Sequence, residues 1–120
     1  WTEARRDNAA AYTARFAGID GVTPPVEVPP CRHVYNQYTL RLARRDAVRD
    51  ALRARDVGCA VYYPVPLHRQ ACFAHLMCAE GRFPVAEQAS REVLSLPVYP
   101  ELTQAQRDEV TAAVVEAARG

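Results

Sequence analysis

The stretch "GVTPPVEVPP", residues 21–30, holds four prolines. Proline fixes φ and has no backbone N–H, so this run fits neither a helix interior nor a central strand. It predicts an extended connector over 22–30 between a leading helix over 1–19 and the rest of the chain. In that helix Ala9, Tyr12, Phe16 and Ile19 recur at steps of three and four. This spacing makes an apolar stripe, with Arg5, Arg6 and Asp7 in the solvated first turns and Gly18 near the end.

Beyond the connector, "HVYNQYTLRL" alternates Tyr38, Leu40 and Leu42 with Gln37, Thr39 and Arg41, the period of a half-buried strand. "RRDAVRDALRARDVG" has Val48, Ala51 and Leu52 on one helical face, with Asp46 able to cap the start. "CAVYY" reads as a short strand ending at Pro64, "HRQACFAHLM" as a short helix and "PVAEQASREVL" as another, with Pro84 in its first turn. "LSLP" is a candidate strand. In the closing helix Thr103 and Gln106 form a capping box, and Val110, Ala113, Val114 and Ala117 form the stripe. This order of elements predicts one α+β domain over residues 1–120, a small antiparallel sheet with helices packed on one face.

Composition narrows the function classes. A net charge of +1 offers no electrostatic footprint for nucleic acid or an anionic membrane. No apolar run reaches the roughly 18 residues of a spanning helix, and no signal peptide is expected. The four cysteines, Cys31, Cys59, Cys72 and Cys78, lack a tight disulfide framework, which points to a reduced, cytoplasmic setting. The sequence starts at Trp1 already in helical pattern, which suggests a piece of a longer protein. All 15 basic residues are arginine, so no side-chain amine can form a Schiff base.

Two stretches carry chemistry-bearing residues. His68, Cys72 and His75 stand at i, i+4 and i+7, with Cys78 just beyond, and all are zinc-competent types. Structural zinc sites draw ligand pairs from different elements, however, and the spacing matches no familiar signature. Free cysteine is commonly buried as a small hydrophobe, and no metal is expected. A Cys72–His75 nucleophilic pair lacks identifiable oxyanion donors and an orienting acid. Arg5-Arg6 and Arg44-Arg45 read as solvated helix ends. The second stretch, "VYYPVPLHRQ", residues 61–70, is too polar for core and too stiff for ordinary loop. It allows two readings. One is a strand exit stiffened by Pro64 and Pro66. The other is a rigid ligand wall in which Tyr62 and Tyr63 offer hydroxyls, His68 a switchable donor or acceptor, and Gln70 an amide.

The strings "HVYNQYTLRL", "RRDAVRDALRARDVGCAVYYPVPLHRQACF" and "GRFPVAEQASREVLSLPVYPELTQAQRDEV" together resemble the C-terminal, small domain of the DegT/DnrJ/EryC1/StrS family. These are pyridoxal-phosphate-dependent sugar aminotransferases of fold type I, the aspartate aminotransferase fold. The resemblance runs from the first helix to the last. It implies an α+β small domain of a homodimeric enzyme that moves an amino group, usually from glutamate, to a nucleotide-linked keto-sugar. It also implies that the cofactor-binding lysine and most phosphate contacts lie in a larger preceding domain. No catalytic or cofactor-binding residue is then expected in this chain, and no covalent pyridoxal phosphate. "VYYPVPLH" is similar to the family's "HYPxPLH" segment, which lies along the substrate pocket. The resemblance implies substrate-binding roles for Tyr62 and Tyr63, with His68 close behind as a support or on the phosphate side. Tyr62 stands where the family more often has His. Asp56-Val57 stand where the family has a Gly-Ile pair ending a helix, so Asp56 is expected at positive φ. The alternative is an independent α+β module that binds a small ligand or a protein partner with the same tyrosine wall.

Overall fold

The computed structural model describes residues 1–120. Helix α1 runs Thr2–Phe16 and turns through Gly18 and Gly21, both at positive φ, into a two-residue strand β1, Val22–Thr23. The head of the proline-rich connector is therefore a sheet edge. Val22 and Thr23 precede the prolines and still carry the donors a ladder needs. Strand β2, Tyr38–Leu42, pairs antiparallel with β1 on one side and with β3, Val93–Leu96, on the other. The spatial order is β1-β2-β3. Helix α2, Arg45–Ala54, follows β2; helix α3, Pro84–Glu92, leads directly into β3; helix α4, Gln104–Arg119, closes the chain.

The alternation expected in β2 holds. Tyr38, Leu40 and Leu42 are buried, and Arg41 is exposed and paired with Glu92. The buried face meets Leu94 and Leu96 of β3, Ala9, Tyr12 and Phe16 of α1, Val48 and Leu52 of α2, and Val110, Ala113 and Val114 of α4 in one hydrophobic cluster. Tyr12 and Phe16 stack with ring centroids 5.9 Å apart, and Tyr12 tilts against Tyr38 at 5.2 Å. The Thr103–Gln106 capping box is formed in full.

Four local expectations are corrected. Asp46 does not cap α2. It lies inside the first turn and accepts from Arg45 Nε at 2.8 Å and an Arg49 guanidinium nitrogen at 2.7 Å. It still places a negative charge at the helix's positive end. "CAVYY" does not form a strand: only Ala60 bridges to Ser95, by two hydrogen bonds of 3.1 and 2.7 Å. Pro64 and Pro66 deprive the segment of donors just beyond. "HRQACFAHLM" forms two 3₁₀ turns, Leu67–Arg69 and Ala71–Leu76, because the segment has no buried residue to anchor an apolar face and short α-helices are marginal without one. The arginine pairs are not simply solvated ends. Arg6 binds Glu27 at 2.8 Å and the His33 carbonyl at 2.5 Å, and Arg5 reaches the Val34 carbonyl at 3.2 Å. Arg45 donates to the carbonyls of Ser90 and Val93, both at 3.1 Å.

Candidate functional site

The wall stretch leaves the sheet at Ala60 and runs outward, so strand alternation no longer governs Tyr62 and Tyr63. Both rings are exposed, at 46% and 71%, and they meet edge-to-face with centroids 5.8 Å apart. Tyr62 stands between two clefts. The larger is about 750 Å³, and Tyr62 shares it with Arg5 of α1, Asn36 and Gln37 of the loop before β2, Asp56 at the exit of α2, and Tyr99. The smaller, about 520 Å³, is mostly apolar. Tyr62, Tyr63 and Leu67 face Ala86, Ala89 and Ser90 of α3 across it.

His68 lines neither cleft. Its imidazole is 9% exposed, packs on Phe83 with ring centroids 4.8 Å apart, and donates from Nε2 to Glu87 Oε1 at 2.9 Å. The structure thus brings Tyr62 and Tyr63 together and leaves His68 outside both clefts, on Phe83 and Glu87. Glu87 is itself buried. The Gly81 N–H, then the His68 bond, hold its carboxyl below the usual carboxylate range, so it stays ionised.

The zinc-competent residues do not converge. The 3₁₀ turns break the shared helical face. His68 is taken by Glu87, His75 Nδ1 lies 3.2 Å from the carbonyl of Cys72, and no group of three His, Cys, Asp or Glu side chains is disposed to hold a metal. Nor are the cysteines uniformly buried. Cys31 and Cys72 are exposed, and Cys59 and Cys78 are intermediate. Burial pushes the Cys59 thiol up, which keeps it protonated at the rim of the larger cleft. Asp56 has φ 57°, as its place at the end of α2 requires.

The sequence does not mark Arg5, Asn36 and Gln37, which line the larger cleft, or Glu87, which meets His68 outside it. Asn36 and Gln37 sit just ahead of β2 and read only as its polar lead-in, and Glu87 reads as the solvated face of α3.

The sequence profile of the DegT/DnrJ/EryC1/StrS aminotransferase family matches residues 1–115. The chain belongs to this family. It is 43% identical, over 97% of its length, to a pleiotropic regulatory protein of Geobacillus stearothermophilus, and covers 32% of that protein. It is 39% identical, again over 97%, to a dTDP-3-amino-3,4,6-trideoxy-alpha-D-glucose transaminase of Streptomyces venezuelae, and covers 31% of it. The crystal structure of S. venezuelae DesV in complex with a ketimine intermediate superimposes on the whole chain with a TM-score of 0.95 and 38% identity, the match covering 32% of that protein. The chain thus spans about a third of the length of these relatives. Their fold and its own agree: a small three-stranded antiparallel sheet with helices.

Family membership implies pyridoxal phosphate. The residues present do not fit its covalent attachment, because none of the 120 is lysine.

Proposed function

We propose that this chain supplies the substrate-facing wall of a pyridoxal-phosphate-dependent sugar aminotransferase. In the whole protein an amino group from glutamate is transferred to the keto carbon of a nucleotide-linked sugar. The protein works as a homodimer in the cytoplasm, and the cofactor is held by residues outside this chain. The reading draws on the family and on the S. venezuelae relative, which is named a transaminase of a dTDP-linked amino sugar. The observation that carries it is the placement of two exposed phenols, Tyr62 where the two clefts meet and Tyr63 beside it on the smaller one. Tyrosine suits this role: the ring is rigid, it loses little rotamer entropy on binding, and its hydroxyl can donate to or accept from a sugar hydroxyl. Pro64 and Pro66 limit the disorder the wall must lose when substrate arrives. His68 stands behind the phenols as a support, since its nitrogen is already engaged by Glu87.

Single-turnover kinetics of the two half-reactions tests this in the full-length protein. Tyr62→Phe and Tyr63→Phe should each slow the keto-sugar half-reaction by roughly a few-fold to tenfold, the loss of one neutral hydrogen bond, and leave the glutamate half-reaction unchanged. Equal loss in both half-reactions would make the wall structural. No loss in either variant would remove the tyrosines from the site.

A further inference from the structure

Between Val61 and Cys78 the chain makes its own short-range hydrogen bonds. Arg69 N–H reaches Pro66 at 2.9 Å, Gln70 reaches Leu67 at 3.2 Å, Phe73 reaches Gln70 at 2.9 Å and Met77 reaches Ala74 at 3.1 Å. One hydrogen bond leaves the stretch, from His68 Nε2 to Glu87. No arginine–carboxylate ion pair involves the stretch. The side chains of His68 and Glu87 are more than nine-tenths buried, at 9% and 8% exposure. The rest of the stretch is exposed or half-buried.

Glu87 is well placed for such a duty. Its Oε2 accepts from Gly81 N–H at 2.8 Å, and its Oε1 lies 3.0 Å from the same nitrogen and 3.5 Å from that of Phe83. Three segments therefore meet on one carboxylate: the 3₁₀ turn that carries His68, the turn at Gly81, and the entry to α3. The wall residues Tyr62 to Leu67 run straight into His68, and α3, which carries Glu87, forms the opposite side of the smaller cleft. A bond between His68 and Glu87 therefore joins the segment that follows one side of that cleft to the helix that forms the other. A bond to an ionised, desolvated acceptor is also the strongest kind this loop could use.

We infer that Glu87 is a positioning residue: through His68 it is the tether that sets the tyrosine wall at a fixed distance from α3. The inference rests on the wall reading above and extends it to a residue that does not itself face either cleft. Removing the carboxylate should leave the core and the reacting centre in place and let the wall drift, so the loss should fall on sugar binding.

The experiment uses the full-length protein. Glu87→Ala should speed amide exchange at Arg69, Gln70 and Phe73 on the order of tenfold, because the stretch loses the one hydrogen bond that leaves it and keeps only the packing of His68 on Phe83 and of Val61 on the core. In steady-state kinetics KM for the keto-sugar nucleotide should rise about tenfold, with kcat and KM for glutamate within about twofold. Glu87→Gln keeps an oxygen for Gly81 and an amide that can meet the imidazole, and should recover most of both effects. A merely structural role would lower active-enzyme content and kcat without that split. If Glu87→Ala does not fold, His68→Leu, which leaves the Gly81 and Phe83 bonds intact, should show the same exchange and the same split. Unchanged exchange in the stretch would overturn the tether. An unchanged sugar KM, in a protein where Tyr63→Phe does slow the sugar half-reaction, would overturn the positioning role and leave the wall reading standing. If both tyrosine variants are silent, the wall reading fails, and exchange alone judges the tether.

Discussion

The end of α2 offers a sharp test of how one backbone position constrains the choice of residue. Val57 N–H bonds the Leu52 carbonyl and Asp56 N–H bonds the Arg53 carbonyl, both at 3.0 Å, the double closure of a helix that ends on a left-handed residue. That residue is Asp56, at φ 57°. It is exposed and makes no side-chain hydrogen bond, so substitution there changes backbone energy and little else. For an ordinary L-residue the left-handed conformation costs about 1–2 kcal/mol, less for Asp because its short side chain tolerates it. Asp56→Gly removes this strain but adds about 0.4–1 kcal/mol of unfolded-state entropy, so it should fall within about 0.5 kcal/mol of the parent. Asp56→Val places a β-branched side chain in the left-handed region and should lose about 1–2 kcal/mol. Asp56→Asn keeps the tolerance and removes a negative charge from the negative end of the helix, a gain of about 0.3–1 kcal/mol. Urea unfolding at constant m-value separates these. With an m of about 2 kcal/mol/M, the Val variant should lose roughly 0.5–1 M in midpoint and the Asn variant gain a fraction of that. A Val variant as stable as the Gly variant would show that the left-handed conformation is not held at residue 56 in solution, and the argument would fail.

Two more predictions follow from buried polar groups. The Tyr12 hydroxyl is buried without a partner, whereas the Tyr38 hydroxyl lies 2.9 Å from Thr13 Oγ1 and burial pushes its phenol up to about 12. In thermal or urea unfolding Tyr12→Phe should be neutral or stabilising and Tyr38→Phe should lose about 0.5–1.5 kcal/mol; the reverse order would show that Tyr12 has a partner and Tyr38 does not. Glu87 and Glu27 are both held below the usual carboxylate range, Glu87 chiefly by Gly81 N–H and Glu27 chiefly by Arg6. A folded value below the unfolded one gives stability that is complete above the unfolded value of about 4.3 and is lost as pH falls through the lower folded value. Acid unfolding of Glu87→Gln should therefore depend less steeply on pH below about 5 than that of the parent, and an identical slope in a pH series of unfolding midpoints would contradict the ionised, bonded state of Glu87.

What the sequence revealed and what it hid divide along a physical line. The period-2 pattern of Tyr38, Leu40 and Leu42, the stripe of Ala9, Tyr12 and Phe16, and the Thr103–Gln106 cap were all readable. Each is either a face repeatedly buried along its length or a motif closed within a few residues. Asp56 was legible only through the resemblance, because it stands where the family has the glycine of a helix-ending pair. The stretch from Val61 to Cys78 was misread as strand and helix because its local composition favours both, and neither has a partner to complete it. Ser95 offers its free edge to Ala60 alone, and no core surface receives the 3₁₀ turns. Arg5, Arg6 and Arg45 read as solvated charges in the sequence because pattern records where a charge sits in a helix and not which carbonyl stands opposite. The same logic explains why Glu87 escaped notice. Periodicity reports contacts that repeat every second or every third to fourth residue. A tether is one contact between residues 19 apart, and one contact has no period. A wall that is exposed, proline-stiffened and held to its scaffold by a single buried bond can be recognised by composition as unusual, as Tyr62 and Tyr63 were. Its position relative to α3 can be known only when the residue at the other end of that bond is seen.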